Sequence, residues 1–303
     1  MRTIRAAILL AAALLVASPA VVPSGRVALA QGPLAGKVIS VDPGHNGGNA
    51  SHPEEISRLI WTGTGWRACA TVGTTTIDGY PEHALNWDVA LRVKARLEAL
   101  GATVLMTRSS DTGVGPCADE RGRFGTANGA DLTVAIHGDG SASSNRGFYV
   151  MRPGLVDGFT DDIYASSAGL AKAVRSGLLA AGIPIANYYA TDGIRTRTDY
   201  ATFNFSDIPV VMVELGNMKN AGDAARMKSP AGRDRYAEGL VLGIQVYLAQ
   251  VGAWTGSVSR LAGADRYATA VEISKATFPS PPVPVAYVAT GSDFPDALAG
   301  GPA

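Results

Sequence analysis

Short runs of β-branched and aliphatic residues recur along the chain, separated by stretches in which apolar positions return every three or four residues. Runs of the first kind occupy residues 38–41, 103–107, 132–136, 147–151 and 210–214, and each predicts a strand. Between them, Trp87, Ala90, Leu91, Lys94, Leu97 and Leu100 trace a helical stripe that stops at Gly101, a residue suited to end a helix. Residues 168–182 and 235–249 predict two more helices. This alternation is the mark of an α/β fold: a single twisted, mostly parallel or mixed sheet with helices on both faces. In such folds ligands bind at the carboxyl edge of the strands.

The pattern also divides the chain. Residues 1–30 carry Arg2 and Arg5, an apolar run over 8–17 and the small residues Ala28-Leu29-Ala30, which predict a cleaved secretory signal peptide. The catalytic-sized unit is expected over 31–250, a linker over 251–259, and a different module over 260–303. After cleavage no segment is expected to span a membrane. Cleavage removes Arg2, Arg5 and Arg26 from 26 basic residues and nothing from 26 acidic ones, leaving 23 against 26. A mildly acidic protein without a Lys/Arg cluster excludes nucleic acid as the expected partner. Export also allows Cys69 and Cys117 to pair, closing a loop worth roughly 4 kcal/mol of chain entropy.

Candidate chemistry comes from the four histidines, His45, His52, His83 and His137. His45 ends "KVISVDPGH" and His137 ends "LTVAIH", each where an apolar run gives way to glycine and polar residues. Two strand ends can bring these rings together although 92 positions separate them. His52 and His83 have no such setting. A third metal ligand can be sought in Glu82, after Pro81 at the start of the predicted helix, although a carboxylate also serves there as a simple N-terminal charge. His83, Glu54 and Glu55 compete for that role. Glu214 closes the strand "IPVVMVE", where burial demands a partner: an ion pair with Arg108 or Arg121, or the water of a metal site. Two His and one Glu holding zinc, with a free Glu beside them, is a hydrolytic arrangement.

The segments "VISVDPGHNGG", "PEHALNWDVALRVKARLEALGATVLMTRSSD", "RGRFGTANGADLTVAIHGD", "RGFYV" and "IPVVMVELGNMKN" together resemble the zinc-dependent N-acetylmuramoyl-L-alanine amidases of the type 3 family, in their secreted actinobacterial form. The resemblance implies His45, Glu82 and His137 as Zn²⁺ ligands and Glu214 as the catalytic carboxylate. It also implies peptidoglycan as substrate, hydrolysed between N-acetylmuramic acid and L-alanine, and an extracellular or wall-associated location. Arg108, Arg121 and Asn128 match motif positions that loop-holding hydrogen bonds explain equally well. Gly138 and Asp139 depart from the small residue and Asn usual after the second histidine. "GADRYATAVEIS", within 260–303, resembles a type 2 cell-wall-binding repeat, here truncated, which implies attachment to anionic wall polymers. A zinc site alone does not choose the amide, so a peptidase or deacetylase, or a non-catalytic wall binder, are the alternatives.

Overall fold

The computed structural model describes residues 32–189 and 192–252. The expected signal peptide, the linker beyond residue 252 and the wall-binding repeat lie outside the described residues. The chain divides into two compact units, 1–243 and 244–303, and the architecture below is that of the first. Its strands are β1 (Val38–Pro43), β2 (Leu59–Trp61), β3 (Trp66–Ala68), β4 (Thr103–Met106), β5 (Leu132–Asp139), β6 (Tyr149–Pro153), β7 (Ile194–Arg197) and β8 (Val210–Asn217). The helices are α1 (Pro53–Ser57), α2 (Glu82–Ala99), α3 (Ala118–Ala127), α4 (Tyr164–Ala180), α5 (Ala201–Asn204), α6 (Ala221–Lys228) and α7 (Pro230–Gly252). None of the described helices is long and apolar enough to cross a membrane.

Six strands form one sheet in the order β4-β1-β5-β8-β6-β7. The first four run parallel, β6 lies antiparallel to β8, and β7 is parallel to β6. The five predicted strands are all present, most of them longer than expected at the carboxyl end: β5 continues through His137 to Asp139 and β8 through Glu214 to Asn217. All eight residues of β8 are buried, as a central strand covered on both faces requires. From β1 the chain goes first to β4 on one side and then to β5 on the other. The reversal opens a crevice at the carboxyl ends of β1 and β5.

Helix α2 sets one wall of that crevice, and its buried face differs from the predicted one. Leu85, Val89, Ala90, Val93 and Leu97 are fully buried, whereas Leu91 is 43% exposed. Trp87 leaves the core because the Arg108 guanidinium stacks on it, 4.9 Å from the ring centroid. Glu82 lies on the same buried stripe, one turn before Leu85 and Asn86, so it faces the sheet rather than water. The chain leaves the helix through Gly101, whose φ of 93° only glycine adopts without strain.

The segment between β1 and α2, for which the hydrophobic pattern predicts no strand, contains the antiparallel hairpin β2–β3. A Cys69–Cys117 disulfide ties its end to the N-terminus of α3. Cys117 is the residue that caps α3, and Glu120 reaches back to the Cys117 amide at 2.7 Å. Strand β7 was not foreshadowed either, because "IRTR" has no apolar alternation to announce it.

Leu97→Ala is expected to cost about 2–5 kcal/mol in urea unfolding, and Leu91→Ala less than about 0.5 kcal/mol. Comparable losses at the two positions would mean that the buried face of α2 is wrongly assigned.

Candidate active site

The edge of the sheet gathers the residues singled out in the sequence. His45 follows β1 by two positions with φ at 53°, the only non-glycine residue with positive φ among the described residues. This left-handed turn folds its ring back over the strand ends. His137 and Glu214 are direct partners across the β5–β8 ladder, so both side chains stand on one face. A bulge immediately after this pair ends the regular register.

Three ligating atoms, one from each of His45, Glu82 and His137, lie within 4.8 Å of one another. Glu82 Oε1 is 3.1 Å from His45 Nε2 and 3.0 Å from His137 Nδ1. The rings meet edge to face with centroids 4.9 Å apart. His45 Nδ1 faces the Thr71 carbonyl at 3.0 Å and can only donate to it, which leaves Nε2 free to present a lone pair to the site. Electron-rich atoms turned on one point require protonated rings or a cation among them. Two nitrogens and one carboxylate oxygen, held by outer hydrogen bonds, suit a zinc-type ion.

Those outer bonds are mostly backbone. Glu82 accepts from the Thr74 amide at 2.9 Å on Oε2, and from the Gly138 amide at 3.1 Å on Oε1. Asn86, one turn along α2, donates to the Gly44 carbonyl at 3.1 Å and to Glu82 Oε1 at 3.3 Å. Glycines make room for this crowding. A Cβ on Gly44 would fall 2.0 Å from His137 Cε1, and one on Gly73 would fall 2.6 Å from both Glu82 Oε2 and His45 Cδ2. Gly73 also has φ at 77°.

The two glutamates sit in opposite electrostatic settings. Burial alone would raise the Glu82 carboxyl, but His45 and His137 outweigh it and hold the group well below the usual carboxylate range. Glu214 is pushed well above that range, first by burial and then by the charges of Glu82 and Asp139. Its Oε2 is buried with no hydrogen-bond partner among the described residues. The ion pair considered for Glu214 is therefore not made. Arg121 pairs instead with Asp42 and bonds the Pro43 carbonyl and Asn46. Arg108 bonds the carbonyls of Pro43 at 3.0 Å and His83 at 2.9 Å, and Asp111 at 2.8 Å. Both arginines thus fix the turn that carries His45.

The competing ligands are placed elsewhere. His83 pairs with Asp111 at 2.8 Å, His52 bonds the Gly48 carbonyl, and Glu54 and Glu55 are exposed on α1. Asn128 only bonds the Phe124 carbonyl at the end of α3. Asp139 accepts from the Tyr188 hydroxyl at 2.6 Å. Thr71, Thr74 and Asn86 were missed in the sequence. Asn86 had a legible signal, its place four residues after Glu82 on one helical face; the threonines act through backbone atoms that residue type does not disclose.

The family described as N-acetylmuramoyl-L-alanine amidase matches residues 39–246, and cell wall binding domain 2 matches residues 260–303. The N-acetylmuramoyl-L-alanine amidase Rv3717 of Mycobacterium tuberculosis is 42% identical over 223 residues, covering 72% of this chain and 89% of that protein. The amidase LytC of Bacillus subtilis is 28% identical over 69% of this chain and 35% of its own length. The crystal structure of the N-acetylmuramyl-L-alanine amidase Ami1 from Mycobacterium smegmatis superposes with a TM-score of 0.68 at 42% identity, over 72% of this chain and 99% of that one.

The raised Glu214 carboxyl has a thermodynamic consequence. Its contribution to stability is full below the unfolded-state pKa and is lost as pH rises through the raised folded-state value. Gln does not titrate, so metal-free Glu214→Gln is expected to melt above wild type in mildly alkaline buffer, with the gap closing on acidification. Differential scanning calorimetry across pH checks this. A gap that stays constant or widens in acid contradicts it.

Proposed function

Because the chain belongs to the N-acetylmuramoyl-L-alanine amidase family, and is accordingly a cell-wall hydrolase acting on peptidoglycan, we propose that His45, Glu82 and His137 hold its catalytic zinc and that Glu214 moves the proton. The observation that carries this reading is the convergence of three ligating atoms beside a buried carboxylate oxygen that nothing else satisfies.

When bound, zinc would supply Lewis acidity, polarising the scissile carbonyl and acidifying the attacking water. Glu82, kept ionised by the imidazoles, is suited to hold a cation, and its Thr74, Gly138 and Asn86 contacts orient it. Glu214, kept basic by burial, is suited to take a proton from the water and return it to the departing amine of L-alanine. Two carboxylates whose environments push their pKa values apart divide the roles of ligand and base. Arg108 and Arg121 act as positioning residues, steadying the turn that presents His45. Serine and cysteine nucleophiles have no part in this scheme, and the two cysteines are consumed in the disulfide.

The match of residues 260–303 to a cell wall binding domain supports a wall-bound location, and we read that segment as a hold on anionic wall polymers. Residues 1–30 fit a signal peptide, removed on export, and residues 31–250 fit the catalytic domain.

Exhaustive chelation is expected to abolish stem-peptide release from peptidoglycan, and added Zn²⁺ to restore it. Glu214→Gln should keep near-stoichiometric zinc while turnover falls about 10²-fold or more. Glu82→Gln should lose zinc and be partly rescued by its addition. Metal content by mass spectrometry, beside muropeptide analysis, checks all three. Full activity in metal-free protein, or zinc loss in Glu214→Gln with rescue, overturns the assignment, and shortened peptides in place of free stem peptides would mark a peptidase.

A further inference from the structure

The hairpin β2–β3 takes no part in the chemistry above, yet it lines the same cavity. That cavity, about 810 Å³, is bounded by His45, Glu82 and Glu214 and also by Leu59, Trp66 and Ala68. The register pairs Trp61 with Trp66 and Leu59 with Ala68, so these four side chains share the outer face of the hairpin. Ile60 points the other way, into a buried cluster with Cys69, Cys117 and Ala201. The outer face is apolar and bare: Leu59 is 62%, Trp61 42% and Trp66 65% exposed. The two indoles meet at 5.6 Å with planes 63° apart, and each remains substantially exposed.

The platform is rigid. Asn204 donates to the Thr62 carbonyl at 2.7 Å, Thr64 to the Thr198 carbonyl at 3.2 Å, and Arg67 pairs with Asp199 at 2.5 Å. The disulfide anchors the strand that leaves it. An apolar surface held this firmly is ready to bind without further ordering.

We propose that Trp61 and Trp66, with Leu59, form a sugar-stacking platform that takes the glycan strand of the substrate beyond the muramoyl residue whose amide is cut. The inference rests on the amidase reading, which puts a carbohydrate chain at this cavity. A pyranose ring offers a face of C–H bonds to the negative face of an indole and keeps its equatorial hydroxyls in water. The outer face carries no charge to hold an anionic polymer. At these exposures the three large side chains offer well under about 500 Å², short of the ~800 Å² per partner that a stable dimer needs.

Isothermal titration of the full chain with glycan strands stripped of stem peptides tests the platform directly. Trp66→Ala is expected to weaken binding about 10-fold or more, Trp61→Ala less, and Trp66→Phe to retain most of it, the scale of one well-placed aromatic side chain. Trp66→Leu, which keeps the apolarity but not the ring face, should behave like Trp66→Ala. In steady-state kinetics the preference for polymeric peptidoglycan over a single muramoyl-peptide should fall about 10-fold in Trp66→Ala, through KM rather than kcat. Unchanged glycan affinity in both Trp→Ala variants overturns the proposal. So does an equal loss on polymer and single muramoyl-peptide, or a concentration-dependent dimer in sedimentation that Trp66→Ala abolishes. Failure of the amidase reading looks different: wild type would release no stem peptide from either substrate, while stripped-glycan titration would still report on the hairpin.

Discussion

A carboxylate is buried at Glu82, and the site is arranged around making that tolerable. Placing such a charge out of water is costly unless every lone pair is met. Here two backbone amides and the Asn86 side chain meet it, and the two imidazoles do so when protonated or through a cation shared with it. They come from the turn after β1, from β5, from α2 itself and from the loop at Thr74, so the charge is satisfied only when these four parts are assembled together. The site is in this sense a folding constraint as well as a functional one. Glu214, on the neighbouring strand, has no such company, and the two acids are pushed to opposite sides of the usual carboxylate range.

The parts that hold the site are layered outward from it. Arg108 and Arg121 converge on the Pro43 carbonyl and keep the left-handed turn at His45 in place. The loop that supplies the Thr71 carbonyl and the Thr74 amide begins just after Cys69 and is anchored there to the capping residue of α3. One covalent link therefore steadies a helix start, the hairpin and the outer contacts of His45 and Glu82. Disulfides persist in oxidising compartments, and relatives of the chain are named as cell wall amidases.

Most of this was legible in the sequence where a single residue had to reconcile two demands. His45 and His137 stood out because a polar ring closed an apolar strand, and Glu214 because a charge did the same. Glu82 was ambiguous, since a helix start accepts a carboxylate for its own reasons; its position on the buried stripe with Leu85, Asn86 and Val89, facing the two histidines, is what the sequence alone did not disclose. That stripe was misjudged because Trp87 and Leu91 are as apolar as the true core positions, and an arginine stacking on Trp87 is a tertiary event. The hairpin and β7 were missed for a related reason. Their strands are three or four residues long, and tertiary anchors rather than alternation make them strands.

Gly44 contributes no functional group, yet its hydrogen atom occupies the only space between the chain and the ring of His137. A single methyl group there would compete with the His137 ring for its place. Any side chain at this position would force that ring, or the turn that carries His45, to move. A catalogue of reactive side chains would pass it over, although the spacing of the donor set is written in what this residue lacks.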